Sequence, residues 1–231
     1  MILGTICTRK GSKGVPNKNM RDMLGWPLIY YTMWCAQKYP FDDVILSTDD
    51  PEIKRYCAPG LWAQMRPAHL ATDEASKWDV FRYIAEQNDL KPDDILVDLD
   101  VGCPLRTADD IGACVEKMQK SPTKWSSGYD VVATAYESDR NPYFNMVEGD
   151  DWRTYVVGDG EYNHEIIRRQ DAPDVWSLSP AVFAIRVSAL KYSHWSTVDR
   201  MGIVIIPRER AWDIDTPLDW DIVEFLMKGK P

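Results

Sequence analysis

Four short apolar runs, at residues 2–7, 44–47, 95–99 and 131–135, recur through the first 135 residues with amphipathic segments between them. A strand with one wet face alternates apolar and polar residues. These runs do not, which suits parallel strands covered on both sides. The intervening segments carry helix-start chemistry. Pro27 precedes a run to about Lys38, and Asp50-Pro51-Glu52 supplies an N-cap with proline in the first turn. Ser76 precedes a run to about Asn88, and Thr107-Ala108-Asp109-Asp110 leads into a run to about Lys120. This rhythm predicts a three-layer α/β/α sandwich around a mostly parallel, Rossmann-like sheet. With 231 residues, 45% of them hydrophobic, the chain is expected to form one domain over 1–231.

The rhythm breaks after residue 137. Residues 138–160 are polar and aromatic, and 143–147 with 154–157 read as a hairpin pair within an excursion over 138–180. A last strand at 202–206 leads to Trp212-Asp213-Ile214-Asp215-Thr216-Pro217, where Thr216 is placed to cap a terminal helix and Pro217 to open it.

A formal charge of −9 argues against nucleic acid as a partner, because binding along a phosphate backbone requires a broad basic face. No run approaches the ~20 apolar residues of a bilayer span, and the apolar start lacks a signal peptide's charged leader. Cys7, Cys35, Cys57, Cys103 and Cys114 are scattered without a C-x-x-C pair, which predicts reduced thiols and a cytoplasmic protein. His69, His164 and His194 are equally dispersed, so no histidine-based metal centre is expected.

Against this acidic background, the turn after the first run places Arg9, Lys10, Lys13 and Lys18 with Gly11 and Gly14. Such a loop can hold a polyphosphate, the glycines admitting backbone N–H groups and the cations neutralising phosphate oxygens. A solvated basic turn is the plain alternative. It is neither a Walker A loop nor a dinucleotide fingerprint, since neither G-x-x-x-x-G-K-[ST] nor G-x-G-x-x-G occurs. The other chemistry-bearing residues also fall at strand carboxyl ends, where open parallel sheets gather ligands: Asp49 and Asp50, Asp98 and Asp100, Asp213 and Asp215. In extended chain Asp213 and Asp215 share a face and suit Mg²⁺ completed by water and phosphate oxygens. Alternatively they flank a helix cap. Asp98 and Asp100 have the same spacing, one free for a metal or ribose hydroxyl. Cys103 reads as a packing residue. Arg66 and the pair Arg168-Arg169 are open to either anion binding or solvation.

Together these segments resemble the CMP-sialic acid synthetase (acylneuraminate cytidylyltransferase) family of CMP-keto-sugar-acid synthetases, from about Ile6 to Leu226. Arg9 to Asn19 is similar to the family's R-G-G-S-K-G-I-P-x-K-N loop, and Ser47 to Ile53 to its S-T-D-D-x-E-I turn. Arg66-Pro67 with Leu70-Ala71 and Asp73 to Ser76 resembles R-P-x-x-L-A-x-D-x-A-S. Pro104-Leu105-Arg106 matches the end of Q-P-T-S-P-L-R. Arg168 to Pro173 and Asp213 to Pro217 resemble two further signatures.

The resemblance implies a nucleotide-diphospho-sugar transferase fold in which Arg9, Ser12, Lys13 and Lys18 hold the CTP triphosphate. It implies Asn19, Arg66 and Ser76 around the cytosine, Asp213 and Asp215 on Mg²⁺, and Arg168, Arg169 and Gln170 toward the sugar acid. It also implies a homodimer in which an arm over 138–180 reaches into the partner's site. The sequence departs from the pattern at three places. Lys10 replaces a glycine and adds charge beside the phosphates. Asp100 stands for the glutamine expected to touch ribose or sugar, and Ser179-Pro180 for Asn-Gly. The expected reaction joins CTP to a nonulosonic acid of sialic, legionaminic or pseudaminic type and releases pyrophosphate. The alternatives are another acceptor, such as 3-deoxy-manno-octulosonate, or a lapsed nucleotide-binding protein.

Overall fold

The computed structural model of the protein describes residues 1–120, 128–149, 154–157 and 168–229. In chain order the strands and helices are β1 (Ile2–Cys7), β2 (Asp22–Met23), β3 (Trp26–Pro27), α1 (Leu28–Gln37), β4 (Asp43–Thr48), α2 (Pro51–Arg55), β5 (Trp62–Met65) and α3 (Lys77–Gln87). They continue with β6 (Ile95–Asp98), α4 (Ala108–Gln119), β7 (Val131–Glu137), β8 (Val147–Gly149), β9 (Thr154–Val156), β10 (Trp176–Arg186), β11 (Met201–Ile205) and α5 (Pro217–Lys228).

Seven strands form one sheet in the order β11-β7-β10-β6-β1-β4-β5, all parallel except β10, which runs antiparallel to both neighbours. Alternate residues feed opposite faces, as the pleat requires. Ile6, Leu46 and Val97 pack with Met33 of α1, Ile111 of α4 and Val223 of α5. Leu3, Ile45 and Leu96 pack with Trp78, Phe81 and Ile84 of α3 on the other side. The expected three-layer sandwich is therefore present.

Helix starts fall where the caps predict. The side chains of Asp50 and Ser76 accept the backbone N–H groups of Glu52 and Trp78. Thr107 and Thr216 form reciprocal capping boxes with Asp110 and Asp219. The chain runs β1, β4, β5 in one direction across the sheet and then returns to β6 on the far side of β1. That reversal opens a crevice at the carboxyl end of β1, the place where doubly wound sheets bind ligands.

Two expectations are corrected. The first hairpin strand is Val147–Gly149 rather than 143–147, paired so that Val147 faces Val156. Asn141 captures the preceding residues in a turn: its side chain accepts the Tyr143 N–H at 2.9 Å, and its carbonyl accepts those of Phe144 and Asn145. The other correction is β10, a central strand that the apolar pattern did not disclose. Pro180 interrupts it at a register shift between Ser179 and Phe183, where Thr134 Oγ1 donates to the Ser179 carbonyl and accepts from Val182 N.

Candidate active site

The loop after β1 and the segment before α5 meet over the crevice. Lys18 Nζ donates to the Ile214 carbonyl at 2.6 Å and stands 3.9 Å from the Asp215 carboxylate. Gly14 presses against the same segment, and a Cβ there would lie 1.9 Å from the Asp215 carbonyl oxygen, so only glycine fits. The Lys18 side chain is 18% exposed and that of Asp215 76%. The two ends of the chain thus build one rim, positive on one side and negative on the other.

Beneath the rim lies a cavity of about 330 Å³, lined by Arg9, Ser12, Lys13, Lys18, Asn19 and Arg66, with Asp100 and Asp215 opposite. Asn19 ties the loop together by donating from Nδ2 to the Arg9 carbonyl at 3.2 Å. Arg66 is braced by the Ser47 and Leu70 carbonyls. Thr8 also lines the cavity, and its buried Oγ1 has no hydrogen-bond partner. Arg9 and Lys13 both pair with Asp73, holding its carboxyl below the usual carboxylate range. Asp73 therefore occupies the cations that a phosphate would need.

The twin acids before α5 divide their work. Asp215 faces the cavity. Asp213 is turned toward Gly102, where a Cβ would come within 2.0 Å of its Oδ1 and 3.3 Å of Asp100 Oδ1. The Ile214 N–H bonded to the Gly102 carbonyl at 3.0 Å fixes that orientation. Asp213 Oδ1 is buried without a partner, and burial, then Asp100 and Asp215, push its carboxyl up to about 6. An orphaned buried oxygen beside two further carboxylates suits a hard cation that takes its remaining ligands from water and phosphate. Among the described residues no group of three or more His, Cys, Asp or Glu is spaced to hold a metal by itself.

Several expected residues stand elsewhere. Ser76 does not line this cavity. It caps α3 and borders a second cavity of about 210 Å³ walled by Trp78, Phe81, Phe183 and Trp195. Lys10 is also absent from the central cavity. It lines a surface depression with Glu52 and Arg55, because its N–H bonded to Asp49 turns it outward. Arg168 is exposed and paired with Asp171 at 2.8 Å. Gln170 is exposed in the short turn Arg169–Asp171, and the Arg169 side chain lies outside the described residues. Cys103 is fully buried beside Ser179 with its thiol pushed up by burial, as a packing residue should be.

Sequence reasoning missed Lys77. Its ammonium lies 2.6 Å from Asp98 and 2.8 Å from Asp100, and it borders both cavities. Two acids in place of the expected one are thereby engaged with a lysine, and Asp98 also accepts from Thr5 Oγ1 at 3.2 Å. A signal was available, since a lysine in the first turn of a helix opposes the helix dipole and needs a reason.

Residues 3–165 match the family model described as "Cytidylyltransferase". The Post-translational flagellin modification protein B of Campylobacter coli is 33% identical over 99% of this chain and 96% of its own length. The CMP-N,N'-diacetyllegionaminic acid synthase of Campylobacter jejuni subsp. jejuni serotype O:2 is 32% identical over 99% and 96%. A solved CMP:2-keto-3-deoxy-manno-octonic acid synthetase complexed with CTP shares the fold, with a TM-score of 0.69, 18% identity and 98% coverage of both chains. A family model matched from residue 3 to 165 and a relative 33% identical over 99% of the chain lead to one assignment: the chain belongs to the cytidylyltransferase family.

Proposed function

We propose that this chain transfers the cytidylyl group of CTP to a free nonulosonic acid, releasing pyrophosphate, with Mg²⁺ bound. The observation that carries the reading is the meeting of Lys18 with Ile214 and Asp215 above a cavity lined by Arg9, Ser12 and Lys13. Cytidylyl transfer follows from the family. The nonulosonic acceptor is supported by the similarity, along almost the full chain, to the legionaminic acid synthase of Campylobacter jejuni.

In this reading Arg9, Lys13 and Lys18 neutralise the triphosphate and then the departing pyrophosphate, so positioning and charge compensation supply most of the rate. The acceptor's anomeric oxygen forms its bond to the α-phosphorus as the bond from that phosphorus to the bridging oxygen breaks. The hydroxyl proton passes to solvent. Asn19 and Arg66 line the nucleoside side. Asp213 and Asp215 would hold the magnesium ion, which when bound polarises the phosphate and acidifies the attacking hydroxyl. The second cavity, sharing Lys77 and Asp100 with the first, would take the acceptor.

A homodimer built through the 138–180 arm is part of the proposal. Exposed Leu178 and Ile205 flank Ala135 on one rung of the sheet, with exposed Trp176 beyond, and this apolar strip supports it. The reaction is placed in the cytoplasm, where the five unpaired cysteines stay reduced. Among the described residues no helix is long and apolar enough to cross a membrane.

The test is pyrophosphate release from each of four nucleoside triphosphates with sialic, legionaminic, pseudaminic and 3-deoxy-manno-octulosonic acids. Release is expected with CTP and a nonulosonic acid. Release only with the eight-carbon acid, or CTP binding with no release from any acceptor, would overturn the reading.

A further inference from the structure

Lys77 occupies the first helical position of α3, where a cation is disfavoured, and two acids hold it there. Those acids have little left to offer a ligand. Asp98 is buried and also accepts from Thr5, and Asp100 Oδ1 accepts the Gly102 N–H at 2.9 Å. The lysine side chain is 40% exposed; burial works against its charge, but Asp100 and Asp98 outweigh it and hold the ammonium well above the usual lysine range.

Two of its three N–H groups serve Asp98 and Asp100, leaving one for a ligand oxygen. The second cavity has an aromatic wall and an acidic end, which on charge alone would turn away an anionic sugar. His194 meets Ser196 through Nδ1 and keeps only Nε2 for a ligand, and among the described residues no other lysine or arginine lines this cavity. Lys77 is therefore the side chain that makes this cavity receptive to an acid.

We infer that Lys77, held by Asp98 and Asp100 at the boundary of the two cavities, is a specificity-determining residue whose ammonium takes the carboxylate of the acceptor. The inference rests on the cytidylyl-transfer reading above, and it names the group that makes the acceptor an acid rather than a neutral sugar.

The experiment uses the full chain with CTP and Mg²⁺, and compares a turned-over nonulosonic acid with its C1 carboxamide. The wild type should prefer the acid by at least about tenfold in kcat/KM, the scale of one charge-assisted hydrogen bond. Lys77→Gln should raise the acceptor KM by about as much, with the CTP KM within about twofold, and should lose the preference for the acid. Lys77→Arg should recover most of that preference. A merely structural lysine would change both KM values or the melting temperature without altering the choice between acid and carboxamide. Equal use of both acceptors by the wild type overturns the inference without needing any variant, as does a Lys77→Gln enzyme that still prefers the acid. Failure of every acid as an acceptor would instead sink the cytidylyl-transfer reading.

Discussion

Lys18 and Ile214, 196 positions apart in the chain, are joined by a 2.6 Å hydrogen bond from the lysine ammonium to the isoleucine carbonyl. The bond closes the basic loop onto the acidic segment, so that Lys18 and Asp215 face one space. It also leaves Lys18 short of a full counter-charge, since a carbonyl is a dipole and the carboxylate stands 3.9 Å away. A phosphate oxygen entering the cavity supplies that charge.

Lys18→Ala should therefore lower kcat/KM by at least about thirtyfold, or ~2 kcal/mol of barrier. Steady-state pyrophosphate release checks this. Lys18→Arg should recover only part of the loss, because a planar fork does not reproduce a compact ammonium.

Asp73 competes with the substrate. It pairs with the same Arg9 and Lys13 that line the cavity, and all three side chains are substantially exposed. Exposed pairs are weak, so releasing this one should help CTP only modestly. Asp73→Asn is expected to lower the CTP KM by about two- to fivefold, with a steeper salt dependence because Arg9 and Lys13 lose their internal counter-charge. A raised KM would show that Asp73 assists the nucleotide instead.

Asp213 gives a pH dependence of definite sign. Its folded-state carboxyl is pushed up to about 6, whereas an unfolded aspartate titrates near ~4. Between those values the folded protein binds more protons, so this group's stabilising contribution is present at low pH and is lost as pH rises through about 6. In metal-free urea melts Asp213→Asn should match the wild type near ~pH 4 and exceed it by on the order of 1 kcal/mol at pH 7. Mg²⁺ should narrow that gap by stabilising only the wild type. The same variant should be nearly inactive. A gap that widens toward low pH would contradict the assignment.

Arg106 is a structural counterpart. It is buried, with Nε on the Ala181 carbonyl at 2.6 Å and one terminal nitrogen on Thr32 Oγ1 at 3.0 Å. It pins the bulge of β10 against α1. Arg106→Ala should cost about 2–4 kcal/mol, read as a drop in melting temperature, while survivors keep the wild-type CTP KM.

Much of this is legible in the sequence, and for local reasons. Asp50, Ser76, Thr107 and Thr216 announce helices because a cap acts within three residues. The basic loop and the acids before α5 stood out because each is compact in sequence. What escaped depends on distance or on a broken local rule. β10 hides behind Pro180, which Thr134 rescues from the neighbouring strand. Lys77 gains meaning only from Asp98 and Asp100, brought in from β6 and the loop that follows it. The two-residue spacing of Asp213 and Asp215 suggested a shared outlook. Contact with Gly102 instead turns Asp213 inward beside Asp100.

A crystal of the enzyme soaked with CTP and Mn²⁺, located by its anomalous signal, tests the account most directly. The triphosphate should lie between Lys18 and Asp215, with Arg9 and Lys13 released from Asp73 and the metal against Asp213 and Asp215. Phosphates bound outside that cleft, or a metal remote from both acids, would contradict it.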